Sequence, residues 1–99
     1  MIRATTPTHT FTLPFDYNTF VKKIVITYSQ NGEIVLNKTE KDIVVNGNAI
    51  SVKLTQEDTV KFVADSVKIQ LRVLTLGEDV LVSQIFNETV RDVLNDEVL

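Results

Sequence analysis

Cysteine is absent from this chain of 99 residues, so it holds no disulfide framework and no thiolate metal site. That absence suits a reducing compartment. Tryptophan is also missing, and there is a single histidine, His9. A metal centre built on His9 would need ligands close by, and neither neighbour in Thr8-His9-Thr10 is one, which makes an edge or surface histidine the expectation. The glycines number only three, all in turn-like contexts, so no glycine-rich phosphate loop exists. Long apolar runs are lacking too. None approaches the roughly 20 residues of a membrane span, and MIRATTPTHTF at the start has no apolar signal-peptide core. Two glycosylation sequons, at Asn37 and Asn87, are read as chance in that setting.

A surplus of positive charge is missing as well. Residues 1–86 carry nine basic and nine acidic side chains, whereas 87–99 set Arg91 against Glu88, Asp92, Asp96 and Glu97. A neutral body with an acidic tail lacks the basic face that nucleic-acid binding requires.

What remains is a β pattern in an apolar fraction of 43%, ordinary for one globular domain. Phe11, Leu13 and Phe15 alternate with polar residues or proline, the period of a half-buried strand. Asp16–Thr19 is a turn. Val21–Gln30 is rich in β-branched residues, with Ile24, Ile26 and Tyr28 on one face. Asn31-Gly32 suits a type I′ turn and predicts a hairpin into Glu33–Thr39, with Ile34 and Leu36 inward. Ile43-Val44-Val45, the turn Asn46-Gly47-Asn48, and the alternation of Ile50, Val52 and Leu54 predict a second hairpin. Val67–Leu76 places Val67, Ile69, Leu71 and Val73 on one face. Gly77 opens a turn, and Val80–Phe86 returns as a third hairpin reaching to about Arg91.

These signals predict an all-β fold: an immunoglobulin-like antiparallel β-sandwich of about seven strands, with a small β-barrel as the alternative. Thr55, with Asp58 three residues on, forms a capping box with Asp in the place of Glu or Gln. It predicts one short helical turn near residues 55–62, crossing between the sheets, with Val60 or Phe62 closing the core. The sandwich domain is set at 1–91 and an acidic C-terminal tail at 92–99. Val90, Val93, Leu94 and Leu99 suit either one side of a helix or a fraying strand. Apolar residues on an acidic tail pack either on their own sandwich or on a neighbouring subunit. Val93, Leu94, Val98 and Leu99 are the candidate partner-binding residues.

No catalytic set emerges. Asp16, Glu57, Asp58, Asp65, Glu78 and Asp79 fall mostly in turns, and no spacing selects a glycosidase pair or a calcium loop. Ser29, Ser51, Ser66 and Ser83 lack a nucleophile-elbow context. Lys22, Lys23, Lys53, Lys68 and Arg72 read as a solvated sheet face. The expectation is a protein without catalysis, cofactor or metal.

The segments MIRATTPTHTFTLPFD, KKIVITYSQNGEIVLNK, KLTQEDTVKF, VKIQLRVLT and VLNDEVL resemble small proteins encoded in phages and prophages of Gram-positive bacteria. The pattern over residues 5–90 is similar to the immunoglobulin-like N-terminal domain of the phage baseplate upper protein family. The resemblance implies a virion structural protein of the tail or baseplate, made in the bacterial cytoplasm. Its partners would be other virion or self subunits, with a homo-oligomer among the options, and neither nucleic acid nor membrane. Baseplate upper proteins carry further segments after this domain and this chain ends at Leu99, so receptor binding and fibre linkage fall outside what the likeness implies. The alternative is a stand-alone carbohydrate- or protein-binding sandwich, with Tyr17 and Phe20 as its loop aromatics.

Overall fold

Alternating apolar residues dominate the chain from Thr8 to Thr89, and the computed structural model, which describes residues 1–99, pairs them into eight strands. They are β1 (Thr8–Thr12), β2 (Val21–Gln30), β3 (Glu33–Thr39), β4 (Ile43–Asn46), β5 (Ala49–Lys53), β6 (Ser66–Thr75), β7 (Val80–Val82) and β8 (Phe86–Thr89). One antiparallel sheet runs β1-β5-β4. The other runs β3-β2-β6-β7, with β8 continuing on β6 beyond β7. Ile24, Ile26, Tyr28, Val67, Ile69, Leu71 and Val73 of the larger sheet face Phe11, Ile50, Val52 and Leu54 in one buried cluster. The result is the expected all-β sandwich.

The hairpins follow their turn chemistry. Asn31 and Gly32 both have positive φ, as a type I′ turn requires, and Gly47 takes φ +63° at the tip of the β4–β5 hairpin. The third turn is displaced from expectation. Glu78 donates its N–H to the Thr75 carbonyl and itself has φ +66°, while Gly77 keeps an ordinary φ. This is a type I turn closed by a bulge residue in the left-handed region, a position that favours glycine. The glycine therefore sits one residue before the strained site. Glu78→Gly is expected to raise the melting temperature by roughly 2–6 °C despite losing the exposed pair with Lys22. Calorimetry of that variant beside Gly77→Ala checks it.

Two expectations about the larger sheet need correction. Tyr28 pairs with Leu36 but Ser29 pairs with Ile34, so a bulge at Val35 shifts the register. Leu36 points inward, but Val35 rather than Ile34 packs against the core, and Ile34 is exposed. The return strand of the third hairpin is not continuous either. Ser83 donates its N–H to the Leu71 carbonyl, and its hydroxyl, rather than a carbonyl, receives the Leu71 N–H. The chain leaves the ladder there and rejoins it as β8.

The corner at Thr55 forms as the capping box anticipates. Asp58 N–H donates to Thr55 Oγ1 at 3.1 Å, Thr55 N–H donates to Asp58 Oδ2 at 2.9 Å, and a single helical turn spans Gln56–Thr59. It carries the chain from β5 in one sheet to β6 in the other, and Phe62 plugs the core end. Two further short elements appear: a helical turn at Tyr17–Phe20, capped by Asp16, and a 3₁₀ turn at Glu40–Asp42. In chain order the two α-helical turns are α1 (Tyr17–Phe20) and α2 (Gln56–Thr59).

Candidate functional site

The strand edges differ in what they offer a partner. The β3 edge carries Glu33, Lys38 and the Val35 bulge, and β1 is flanked by Pro7 and Pro14; these features discourage pairing. The β4 edge shows one strongly exposed apolar side chain, Val44. The β7 edge stands apart. Val80, Leu81 and Val82 are all apolar, with relative exposures of 57%, 41% and 57%. None is charged, and no strand pairs with the outer side. Leu76 and Ile85 extend the exposed apolar surface at either end.

Register explains how β7 presents itself. Val82, Leu81 and Val80 face Arg72, Val73 and Leu74 of β6. Thr75 donates its N–H to Asp79 O at one end of this ladder, and Ser83 donates to Leu71 O at the other. Antiparallel ladders alternate, so the bonded pairs are Thr75–Asp79, Val73–Leu81 and Leu71–Ser83. The N–H and C=O of Val80 and Val82 consequently point away from the sheet. Leu81 shares the inward face with Val73. There it borders an open groove of about 280 Å³ lined by Leu13, Pro14, Phe15 and Leu71. Phe15 stacks on Phe20 at 4.4 Å, and Leu76 donates its N–H to the Phe20 carbonyl. The groove and the edge thus merge into one apolar surface at this side of the sandwich.

The tail takes neither form considered for it: residues 92–99 are neither helix nor strand. Val90 is buried in the core, and Arg91 forms a parallel bridge with Ile2. Beyond that bridge, Arg3 fastens the acidic segment. Its guanidinium contacts Asp92 at 2.8 Å and Asp96 at 3.1 Å, and it also donates to the carbonyls of Phe62 and Val60. The hydrogen bond from Arg3 holds the Asp92 carboxyl below its usual range. Leu99 N–H donates to Gln56 Oε1 at 2.8 Å. Of the four candidate residues in this segment, Val93 is half-buried, Val98 is exposed, and Leu94 and Leu99 stand fully in solvent.

Several of the remaining polar candidates have local partners. No cluster of three metal-ligating side chains comes together. Asp16 caps α1, Asp58 caps α2, Asp65 accepts from the Ser66 N–H, and Glu78 pairs with Lys22 at 2.6 Å. Lys23, Lys68 and Arg72 lie on the outer face of the larger sheet, whereas Lys53 belongs to the other sheet. Tyr17 packs partly against the core.

His9 is not a free surface group. Its Nδ1 lies 2.7 Å from the Tyr28 hydroxyl, with the side chains tilted together at 5.6 Å. Burial pushes the tyrosine pKa well above its ordinary value, so the phenol stays protonated and shares a hydrogen bond with the imidazole whose direction follows the His9 tautomer. Burial also lowers His9 below 6.5, outweighing the nearby Glu88 carboxylate. The unfolded chain then binds the extra proton first. The stabilising contribution is complete above about pH 6.5 and is lost as the pH falls through the lower folded value. Urea melts between pH 7.5 and 5 are expected to show that decline, and His9→Asn to flatten it.

In sequence, Val80–Phe86 reads as an ordinary return strand, and its edge does not stand out. The signal that could have marked it is an uncharged run, apolar on both faces, between Asp79 and Ser83. No helix of the chain is long and apolar enough to cross a membrane. Compared with protein-family models, curated proteins and solved structures, the chain shows no match.

Proposed function

We propose that this sandwich is a non-catalytic subunit of a larger protein assembly, docking on other subunits through the β7 edge. One observation carries the reading: an unpaired edge strand, apolar on both faces, with the outward N–H and C=O groups of Val80 and Val82 available for strand addition. Proteins that live as free monomers blunt such edges with lysine, proline or bulges. This chain does so at β3 and β1 and leaves β7 bare.

The setting proposed is a phage or prophage virion, at the tail or baseplate, as the sequence resemblance implies. The tail held by Arg3, with Leu94 and Leu99 in solvent, offers a second contact to neighbouring subunits. The test is mass spectrometry of gradient-purified particles from the organism that encodes the chain. Fixed stoichiometry within the particle is the expected result. Absence from intact particles would remove the virion setting.

A further inference from the structure

The geometry points to a second copy of this chain as the occupant of the β7 edge, paired antiparallel about Leu81. This inference rests on the docking reading and gives it a partner and a register.

Three observations carry it. The outward-facing backbone groups belong to Val80 and Val82. An antiparallel two-fold pairing centred on Leu81 sets Val80 of one copy opposite Val82 of the other, twice. Each such pair exchanges two N–H···O bonds, so the register satisfies every outward group of β7. Shifting it by one residue would face outward groups with inward ones.

Charge favours the same arrangement. The acidic residues Glu78 and Asp79 precede the strand, and the neutral Ser83 and Gln84 follow it. In the antiparallel register Asp79 falls opposite Ser83 and Glu78 opposite Gln84. A parallel pairing would bring each acidic residue against its own copy, which is destabilising. The strand is thus self-complementary in one direction only, as an isologous two-fold contact must be.

The side chains complete the contact. Val80 and Val82 lie on the outer face and would pack against each other across the junction. Leu81 meets Leu81 of the second copy on the inner face, beside the groove of Leu13, Pro14 and Phe15. The two larger sheets would join into one continuous sheet. Because β7 has only three residues, the contact is narrow and the expected association is weak, with Kd about 1–100 μM.

Sedimentation equilibrium on the full chain tests this with three proteins. The wild type is expected to show a monomer–dimer equilibrium in that range. V80K/V82K puts lysine against lysine at both junctions and is expected to weaken association at least about tenfold. V80E/V82K occupies the same two exposed positions but sets glutamate against lysine at both junctions, and it is expected to dimerise within about threefold of the wild type. Thermal melts show whether both variants keep the fold, since neither position is buried.

A wild type that stays monomeric to about 1 mM would overturn the inference, as would a V80K/V82K variant that dimerises like the wild type. If V80E/V82K is as monomeric as V80K/V82K, the antiparallel register is wrong. A monomeric wild type that nonetheless enters particles, and stops doing so as V80K/V82K, would overturn the second-copy assignment while leaving the docking edge in place.

Discussion

Phe62→Ala is expected to destabilise the domain by about 3–5 kcal/mol. Phe62 is 1% exposed and closes the core where the chain turns from one sheet to the other. Its ring lies 5.9 Å from that of Tyr28, which in turn holds His9. Truncation removes the ring from an apolar environment and leaves a void bounded by strands that are pinned by their ladders and collapse only partly. Small domains retain only about 5–15 kcal/mol in total, so this single change takes a large share. In melting temperature it corresponds to a fall of roughly 15–30 °C for a chain of this size. Phe62→Leu refills much of the space and is expected to cost less than half as much. Denaturant melts of both variants check the ranking: equal losses would mean that the ring does not fill the site.

Asp58→Ala ranks second, with an expected cost of about 2–4 kcal/mol. Asp58 does two jobs. Its carboxylate accepts the Thr55 N–H that begins the corner, and it pairs with Lys38 Nζ at 2.8 Å. Both side chains of the pair are largely buried, at 10% and 14% exposure. Removing the carboxylate leaves the Lys38 ammonium without its counter-charge and the Thr55 N–H without its acceptor. Asp58→Asn keeps an acceptor for Thr55 and loses only the charge, so it should retain about 1 kcal/mol of the difference. The pH dependence obeys the same logic. Burial acts to raise the Asp58 pKa, but the hydrogen bonds from Lys38 and Thr55 outweigh it and hold the carboxyl below its ordinary 3.8. Its contribution is complete above the ordinary value and disappears as the pH falls through the depressed folded one. The stability gap between the wild type and Asp58→Ala should therefore be full at neutral pH and narrow as the pH falls below the ordinary carboxyl value. A double-mutant cycle with Lys38→Met isolates the pair from the cap.

Where local chemistry decides the structure, the sequence is a good guide. The inward alternation of Ile24, Ile26 and Tyr28, of Ile50 and Val52, and of Val67 to Val73 is a property of a strand's own residues, and all of these are buried. Asn31-Gly32 and the Thr55–Asp58 capping box are likewise self-contained. The departures come from pairing. A bulge such as that at Val35 depends on the partner strand, so Ile34 turns outward against a clean local pattern. Ser83 breaks the return strand because its hydroxyl competes with its own backbone for Leu71, which nothing in Val80–Phe86 announces. The Lys38–Asp58 pair joins residues on different elements, and Arg3 reaches the tail across nearly the whole chain. The candidate site is the least legible part. Val80, Leu81 and Val82 look like any short strand until the strand order shows that nothing lies beyond them.

That position also selects the most direct measurement. Amide hydrogen exchange at Val80 and Val82 should be compared between dilute isolated protein and the chain in its assembled state. Their N–H groups face outward, so exchange should be fast in the dilute protein and strongly slowed on assembly, while Leu81, bonded to Val73, stays protected in both. Unchanged rates at Val80 and Val82, with new protection confined to the tail at 92–99 or to another edge, would contradict the assignment of the β7 edge as the docking surface.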